Sequence, residues 1–461
     1  MNSTGREVSM RVFAFVAVGT VLLQAVAVRG ADDGPFEFVQ SSLMRSTPRG
    51  VFVAFMGDYL TPAVSGNWGA WGAAGKGWKP HDPARRNSGA RRDIASCFYP
   101  AIGPYDMSDP DVADYHCQLL KMTGIDGISF NVGLFQHNLW QQKSMRIYVA
   151  AMQRYGLKGI IRFENKAYAK TYPVHEEALA AACADMDAWM KLIGPIQYRI
   201  AGRPVFMLFS FKLSPKELET WKTHFPSADR PIIITYSSHA QYKGVVDGLF
   251  GWCGLEPHFL TDHLPYRAYV TPELARQNEQ AERLRAADLL TSGQISVYMA
   301  GVSPGFDDIG CWGWGTGPRK VDRDDGRTYA YRWEKTLATN LQLVFIPTWN
   351  DWAEGTTIEP SVEYGDQYLR MTREYAARFK STAASAGDFL LPIWIYKVRK
   401  TTSDAAALRD MSAASDAIAA GDYRRAESIV APWAARLKVE TIEPWDRAAA
   451  GGEATAARTV D

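Results

Sequence analysis

Asp351 and Glu354 stand three residues apart in WNDWAEGTTIEP, residues 349–360, directly after the apolar run LVFIP (343–347). The run reads as a short buried strand, so the two carboxylates fall where a strand opens into a loop. On a turn of helical geometry, side chains at i and i+3 face one way, with Cβ atoms about 5 to 6 Å apart. Two carboxyl groups sharing one cleft can hydrolyse a glycosidic bond. One protonates the departing oxygen while the other serves as base or nucleophile beside the anomeric carbon. Like charges also keep one of the two protonated near neutral pH. An isolated DxxE more often caps a segment or pairs with arginines. Here Trp349 and Trp352 flank the pair, and indoles stack on pyranose faces. The helical spacing is nearer the roughly 5 to 5.5 Å of retaining carboxylate pairs than the roughly 6.5 to 9.5 Å of inverting ones, and so predicts retention.

A cleft of this kind needs a scaffold that gathers residues distant in sequence. Apolar runs at 51–56, 125–130, 157–163, 204–209, 231–236, 246–252, 295–300 and 343–349 supply eight strand candidates. Helical patterns lie between most of them. The clearest runs from Asp109 to Met122, with Asp109 as N-cap, Pro110 in the first turn and Gly124 as the stop. Near-continuous apolar strands alternating with helices predict a parallel sheet, and eight such units predict an α/β fold of the (β/α)8 TIM-barrel class, spanning 50–400. A doubly wound open sheet is the competing architecture, but no glycine-rich dinucleotide turn follows the first strand.

Barrel active sites sit on the loops after the strands. There the sequence offers Asn131, Glu164, Trp252, Asp307 in SPGFDD, and the carboxylate pair. The first such loop, Gly57 to Arg92, is long and rich in Gly and Trp, and with Trp312 and Trp314 its Trp68, Trp71 and Trp78 predict an aromatic groove. Residues 93–106, with Tyr99 and Tyr105 as candidate subsite aromatics, read as an extra hairpin or strand at the mouth. Glu359 reads as structural, holding its loop through backbone amides. The bland alternatives are a salt bridge for Glu164, a satisfied buried amide for Asn131, a plain turn for Asp307 and core packing for the tyrosines.

Composition bounds the partners. With 51 Lys plus Arg against 50 Asp plus Glu there is no basic field for nucleic acid, and a neutral partner fits better. The 15 tryptophans favour a polysaccharide or oligosaccharide. Arg6 and Arg11, the apolar run from Val12 and the step to Gly30 and Asp32 form a signal-peptide pattern over residues 1–30, which predicts export to the periplasm or medium and no membrane attachment after cleavage. An uncleaved anchor is the alternative. Five scattered cysteines without CxxC spacing predict no disulfide framework, and eight histidines without HxH or HExxH predict neither metal nor cofactor. Residues 31–49 form a short N-terminal segment. After the barrel, 388–398 reads as a short β segment, 401–447 as a helical extension broken at Gly421 and Asp422, and 448–461 as a disordered tail.

Several ordered motifs add a resemblance. FYPAIGPYDMSDPDVADYH (98–116), KMTGIDGISF (121–130), FENK (163–166), YRIAGRPVF (198–206), VSPGFDD (302–308) and WNDWAEGTTIEP together resemble the glycoside hydrolase family 71 and family 99 group of (β/α)8 enzymes. Family 99 carries WNEW, one residue, EGT, one residue, IEP on its last strand; family 71, of α-1,3-glucanases, carries WND, two residues, then ES. This chain combines the aspartate of the one with the EGT and IEP context of the other. The resemblance implies an endo-acting, retaining α-glycosidase on an α-linked polysaccharide, mannan before glucan. In the family 99 scheme Asp351 would deprotonate the sugar 2-hydroxyl, and Glu354 would be general acid and then base. Two departures are visible: relatives place His-Tyr and Asp-Trp where this chain has Phe55-Met56 and Asn131-Val132. Those losses make a catalytically inactive carbohydrate-binding barrel the second hypothesis.

Overall fold

The computed structural model describes residues 36–73, 80–87, 91–164, 168–209, 213–236, 242, 244–254, 272–315 and 317–439. Residues 1–30, read from sequence as a signal peptide, Trp78 and residues 448–461 lie outside the described residues.

Eight parallel strands form the barrel: β1 (Gly50–Phe55), β2 (Gly127–Val132), β3 (Lys158–Phe163), β4 (Arg203–Leu208), β5 (Ile232–Thr235), β6 (Gly248–Phe250), β7 (Val297–Gly301) and β8 (Leu343–Ile346). Each pairs with its sequence neighbour, β8 pairs with β1 at Val51↔Val344, and β3 pairs with β4 at Ile161↔Phe206, so the sheet closes on itself. The (β/α)8 TIM barrel expected from the sequence is present. Alternation along each strand divides the core. Phe52, Ala54, Ile160, Val205, Met207, Ile234, Phe250, Met299 and Phe345 fill the lumen, while Val51, Val53, Ile128, Phe130, Ile161, Phe206 and Val344 meet the helices outside. Burial on both faces explains why the strands read as continuous apolar runs.

Among the described residues an α-helix follows every strand but β5: α1 (Pro110–Thr123), α2 (Leu139–Tyr155), α3 (His175–Leu192), α4 (Pro215–Thr223), α5 (Pro272–Thr291), α6 (Arg327–Leu337) and α7 (Gln367–Lys380). Helix α1 has the signals read from sequence. Asp109 accepts from the Asp111 amide, Pro110 opens the first turn, and Gly124 ends it with φ 74°. Below the barrel, the short helix Ser42–Arg45 sends Met44 into the lumen cluster.

Two readings are corrected. Residues 388–398 form no β segment; from Leu390 on they are helical, as part of α8 (Leu390–Thr401). Leu391, Ile393 and Ile395 alternate like a strand, but α8 is buried against α1, α9 (Ala405–Ala419) and α10 (Tyr423–Leu437), so its apolar residues cover more than one face. Pro392 is tolerated because it lies in the first turn, where amides have no helical partner. Residues 93–106 form no strand; their only ladder-like contact is an isolated bridge between Pro100 and Ser361. The segment before β4 forms a tight hairpin that the sequence reading missed, in which Arg199–Ile200 pairs antiparallel with Arg203–Pro204 across Ala201 and Gly202.

The C-terminal helices pack on the barrel through Asp114 of α1. Its carboxylate accepts from Tyr155 of α2 at 2.6 Å, Arg399 of α8 at 2.6 Å and Ser415 of α9 at 2.8 Å. Among the described residues no helix is long and apolar enough to cross a membrane.

Candidate active site

The loop after β8 continues the sheet before it turns. The Trp349 amide donates to the Ala54 carbonyl at 2.7 Å. The Asn350 side chain then acts like another strand residue, accepting from the Met56 amide at 2.8 Å and donating to the Met56 carbonyl at 2.9 Å. Tyr59, from the long first loop, accepts at its hydroxyl from the amides of Trp352 and Ala353 at 2.8 and 3.1 Å. The turn so held brings the carboxylate pair together: Asp351 Oδ1 accepts the Glu354 amide at 3.2 Å. Gly355 closes it at φ 57°, where a Cβ would stand 2.6 Å from the Asp307 carbonyl.

Asp351 is almost wholly buried and Glu354 is half-buried. Burial, then the neighbouring Glu354 and Asp58, push the Asp351 carboxyl well above the usual range. Burial also raises Glu354, against the pull of the Trp314 indole and Arg319. Trp314 Nε1 donates to Glu354 Oε1 at 2.9 Å. This indole is 52% exposed and comes from a turn in which Trp312, Gly313 and Trp314 all hold left-handed φ of 51–56°. Such a conformation in non-glycine residues costs about 1 to 2 kcal/mol each and persists where surrounding contacts enforce it.

Three further ionisable groups act on the charge of the pair from other strands. Asp58, in the loop after β1, is pushed up to about 6, first by burial and also by Glu164. Glu164 follows β3, its amide bonded to the Val132 carbonyl at 2.9 Å. Arg162, on the lumen side of β3, is 1% exposed and lies over the rings of Phe209 and Trp252 at 5.0 and 4.9 Å. Asn131 is its register partner on β2. Asp58 and Arg162 were not singled out from sequence. Arg162 sits in an apolar run, LKGIIRF, where a charge that alternation turns inward was the available signal.

The structure separates the remaining candidates. Trp252 is 7% exposed and offers its face to Arg162. Asp307 is half-buried at the mouth, and its amide donates to the Glu354 carbonyl at 2.9 Å. Asn131 Oδ1 is buried without a hydrogen-bond partner among the described residues. Four aromatics are corrected from groove to core. Trp71, Trp349 and Trp352 are fully buried and Tyr105 nearly so, leaving no ring face for a sugar. Tyr105 instead donates to Glu359 Oε2 at 2.6 Å and accepts from Trp352 Nε1 at 3.0 Å. Tyr99 and Trp68 lie half-buried beside Arg91 and Arg92, whose guanidinium groups stand 5.5 and 4.8 Å from the ring centres. Glu359 is structural, but its carboxylate binds the Tyr105 hydroxyl and His116 Nε2 (3.0 Å) rather than backbone amides. The five cysteines are free thiols, and among the described residues no three His, Cys, Asp or Glu side chains are grouped to hold a metal.

The family model of Glycosyl hydrolase family 99 matches residues 49–377, the whole barrel from β1 to most of α7. The chain belongs to glycosyl hydrolase family 99. As a family 99 member it is a glycoside hydrolase. Curated relatives of this family 99 chain include the Rattus norvegicus glycoprotein endo-alpha-1,2-mannosidase, 22% identical over 342 residues, covering 65% of this chain and 68% of the relative. A Danio rerio glycoprotein endo-alpha-1,2-mannosidase-like protein is 20% identical over 330 residues, covering 66% and 72%. Among solved structures, the GH99 endo-alpha-mannosidase from Bacteroides thetaiotaomicron superposes with a TM-score of 0.53 at 18% identity, over 72% of this chain and 97% of that one. At that identity the structural likeness speaks for the fold.

Proposed function

We propose that this glycoside hydrolase is an exported endo-acting α-mannosidase that cleaves within an α-linked mannan with retention, using Asp351 and Glu354. The observation that supports the reading is the β8 turn at the C-terminal end of the barrel strands, in which Asp351 Oδ1 accepts the Glu354 amide, so that both acids stand on one tight turn. Glu354, the more exposed of the two and braced by Trp314, is the general acid that protonates the leaving oxygen and then the base that activates water. Asp351, deeper in the lumen, is the base that acts on the sugar beside the anomeric carbon. The partly exposed Trp314 indole is the ring a pyranose can stack on, in place of the tryptophans that proved to be core. The relatives named as endo-alpha-1,2-mannosidases support mannan before glucan.

The test is to incubate the purified chain and its Glu354→Gln variant with α-mannans, α-1,3-glucans and sulfated α-polysaccharides. Released oligosaccharides are read by mass and the first-formed anomer by NMR. Products of several sizes from mannan, with the α-anomer formed first and a loss of roughly 100- to 10,000-fold in the variant, are expected. Binding to one glycan without turnover would identify an inactive carbohydrate-binding barrel, and products from glucan alone would reassign the substrate. Fractionation of producing cells checks export.

A further inference from the structure

The loop between β7 and α6 touches the β8 turn at several points. Trp314 donates to the Glu354 carboxyl, and the Asp307 amide donates to the Glu354 carbonyl. Within this loop Phe306–Asp307 pairs antiparallel with Lys320–Val321, and just past that ladder stands Arg323. Its Nη2 donates to the carbonyl of Gly355 at 3.0 Å and to that of Thr357 at 2.6 Å. The stem of Arg323 runs across Gly305, where a Cβ would stand 2.7 Å from the arginine Cγ. Its guanidinium carbon lies 4.5, 4.8 and 4.5 Å from the ring centres of Phe98, Tyr364 and Tyr368. Attraction to these rings fixes where Nη2 sits, and hydrogen bonds from a charged donor are the strong ones. Gly355, directly after the acid, holds φ 57°. Glycine is the most permissive residue of a chain, so its own sterics do not keep the preceding Glu354 aimed. The restraint on the turn's exit comes from outside it, from the Asp307 amide and the Arg323 guanidinium.

We propose that Arg323 is a positioning residue for Glu354: by holding the carbonyls of Gly355 and Thr357 it fixes the backbone behind the acid, so that the carboxyl meets the leaving oxygen. This deepens the glycosidase reading and rests on it for the acid role of Glu354. Tyr59 holds the turn before the acid, through the amides of Trp352 and Ala353, and Arg323 holds it after. The same loop supplies Trp314 to the carboxyl itself, so one segment sets both the backbone and the side chain of the acid. A general acid must lie within hydrogen-bond reach of the oxygen it protonates, and a small displacement of its backbone is enough to remove it from that reach. Arg323 touches neither Asp351 nor the Glu354 carboxyl, so its effect falls on aim rather than on chemistry.

The experiment compares the full chain with Arg323→Met and Arg323→Lys on two substrates: an α-mannan oligosaccharide, and a dinitrophenyl glycoside of the same sugar, whose leaving group departs without a proton. In Arg323→Met, kcat/KM on the oligosaccharide is expected to fall by about 100-fold, the cost of misplacing a catalytic group by about 1 Å. On the dinitrophenyl glycoside it is expected to stay nearly unchanged, because kcat/KM there reports a first step that needs no acid. Arg323→Lys keeps the charge and the stem without the planar fork, and an intermediate loss is expected. Alongside, the Trp314 indole N–H is followed by NMR, its signal assigned by its loss in Trp314→Phe. In Arg323→Met it is expected to move towards the position of a free, solvated indole as Glu354 leaves its place. Should Arg323→Met not fold, Arg323→Lys carries both readouts, each reduced in size. Equal losses on the two substrates, or an unmoved indole signal in the folded variants, overturn the proposal, and Arg323 is then packing alone. A shifted indole signal in a chain without turnover on any glycan leaves the hold on Glu354 standing and removes its acid role instead.

Discussion

Replacing Trp314 by Phe removes one N–H donor from Glu354 and keeps an aromatic ring at the mouth. The bond is 2.9 Å long and its acceptor is a carboxylate when Glu354 is ionised, so it stabilises the anion. A hydrogen bond to a charged group contributes about 1.5 to 3 kcal/mol when buried. Trp314 is 52% exposed, and solvent screening brings the expected contribution down to about 1 kcal/mol, or about 0.7 pH unit. The sign follows from the same bond: it lowers the Glu354 pKa, so its loss raises it. Glu354 as acid must hold its proton, hence the basic limb of the kcat against pH profile should move up by about half to one unit in Trp314→Phe. Binding, read as KM for a long oligosaccharide, should weaken only slightly because a ring remains. The assay is the pH profile on whichever glycan the wild type cleaves, with melting temperature as a check on folding. A basic limb that stays put while the acidic limb moves would mean that the proton rests on Asp351 and that the two roles are reversed.

Other outcomes follow from buried groups away from the reacting pair. Glu359→Ala leaves the Tyr105 hydroxyl and His116 Nε2 without their buried acceptor, and should destabilise the fold by about 3 to 5 kcal/mol in urea unfolding, whereas Glu354→Gln should leave the midpoint nearly unchanged. Equal unfolding midpoints would remove the structural role given to Glu359. Glu282 of α5 is buried with Tyr298 and pushed up to about 7, first by burial. Its folded pKa lies above the unfolded value of 4.5, so the folded state binds the extra proton. The stability this provides is complete below pH 4.5 and is lost as pH rises towards 7. Glu282→Gln should therefore unfold at higher denaturant than wild type at pH 8, by about 2 to 3 kcal/mol, and at similar denaturant at pH 4.5. A difference independent of pH would contradict that assignment.

How much was legible varies by residue in a way that has physical causes. Helix α1 could be read to within a residue because its signals are local: the Asp109 cap, Pro110, and a glycine at Gly124 for the left-handed stop. The barrel strands were legible because burial on both faces leaves an uninterrupted apolar run. Helix α8 was misread because three alternating apolar residues suit either a strand or a helix buried all round, and only its neighbours distinguish the two. The aromatic groove was overread for a related reason. Composition counts tryptophans without saying where they point, and Trp71 packs edge-on or tilted against Tyr59, Tyr105 and Trp352 inside the wall.

The sequence by itself determined the eightfold alternation of strands and helices and the carboxylate pair after the last strand, because both are written in residues adjacent along the chain. Only the tertiary structure decided which tryptophan meets Glu354, that Asp58 acts on the charge of Asp351, and that Arg162 is buried on the lumen side of β3. These residues come from β3 and from the loops after β1, β7 and β8, and their neighbours are set by sheet closure and by strand alternation turning a side chain inward. Local propensity acts over a few residues and carries no information about that meeting.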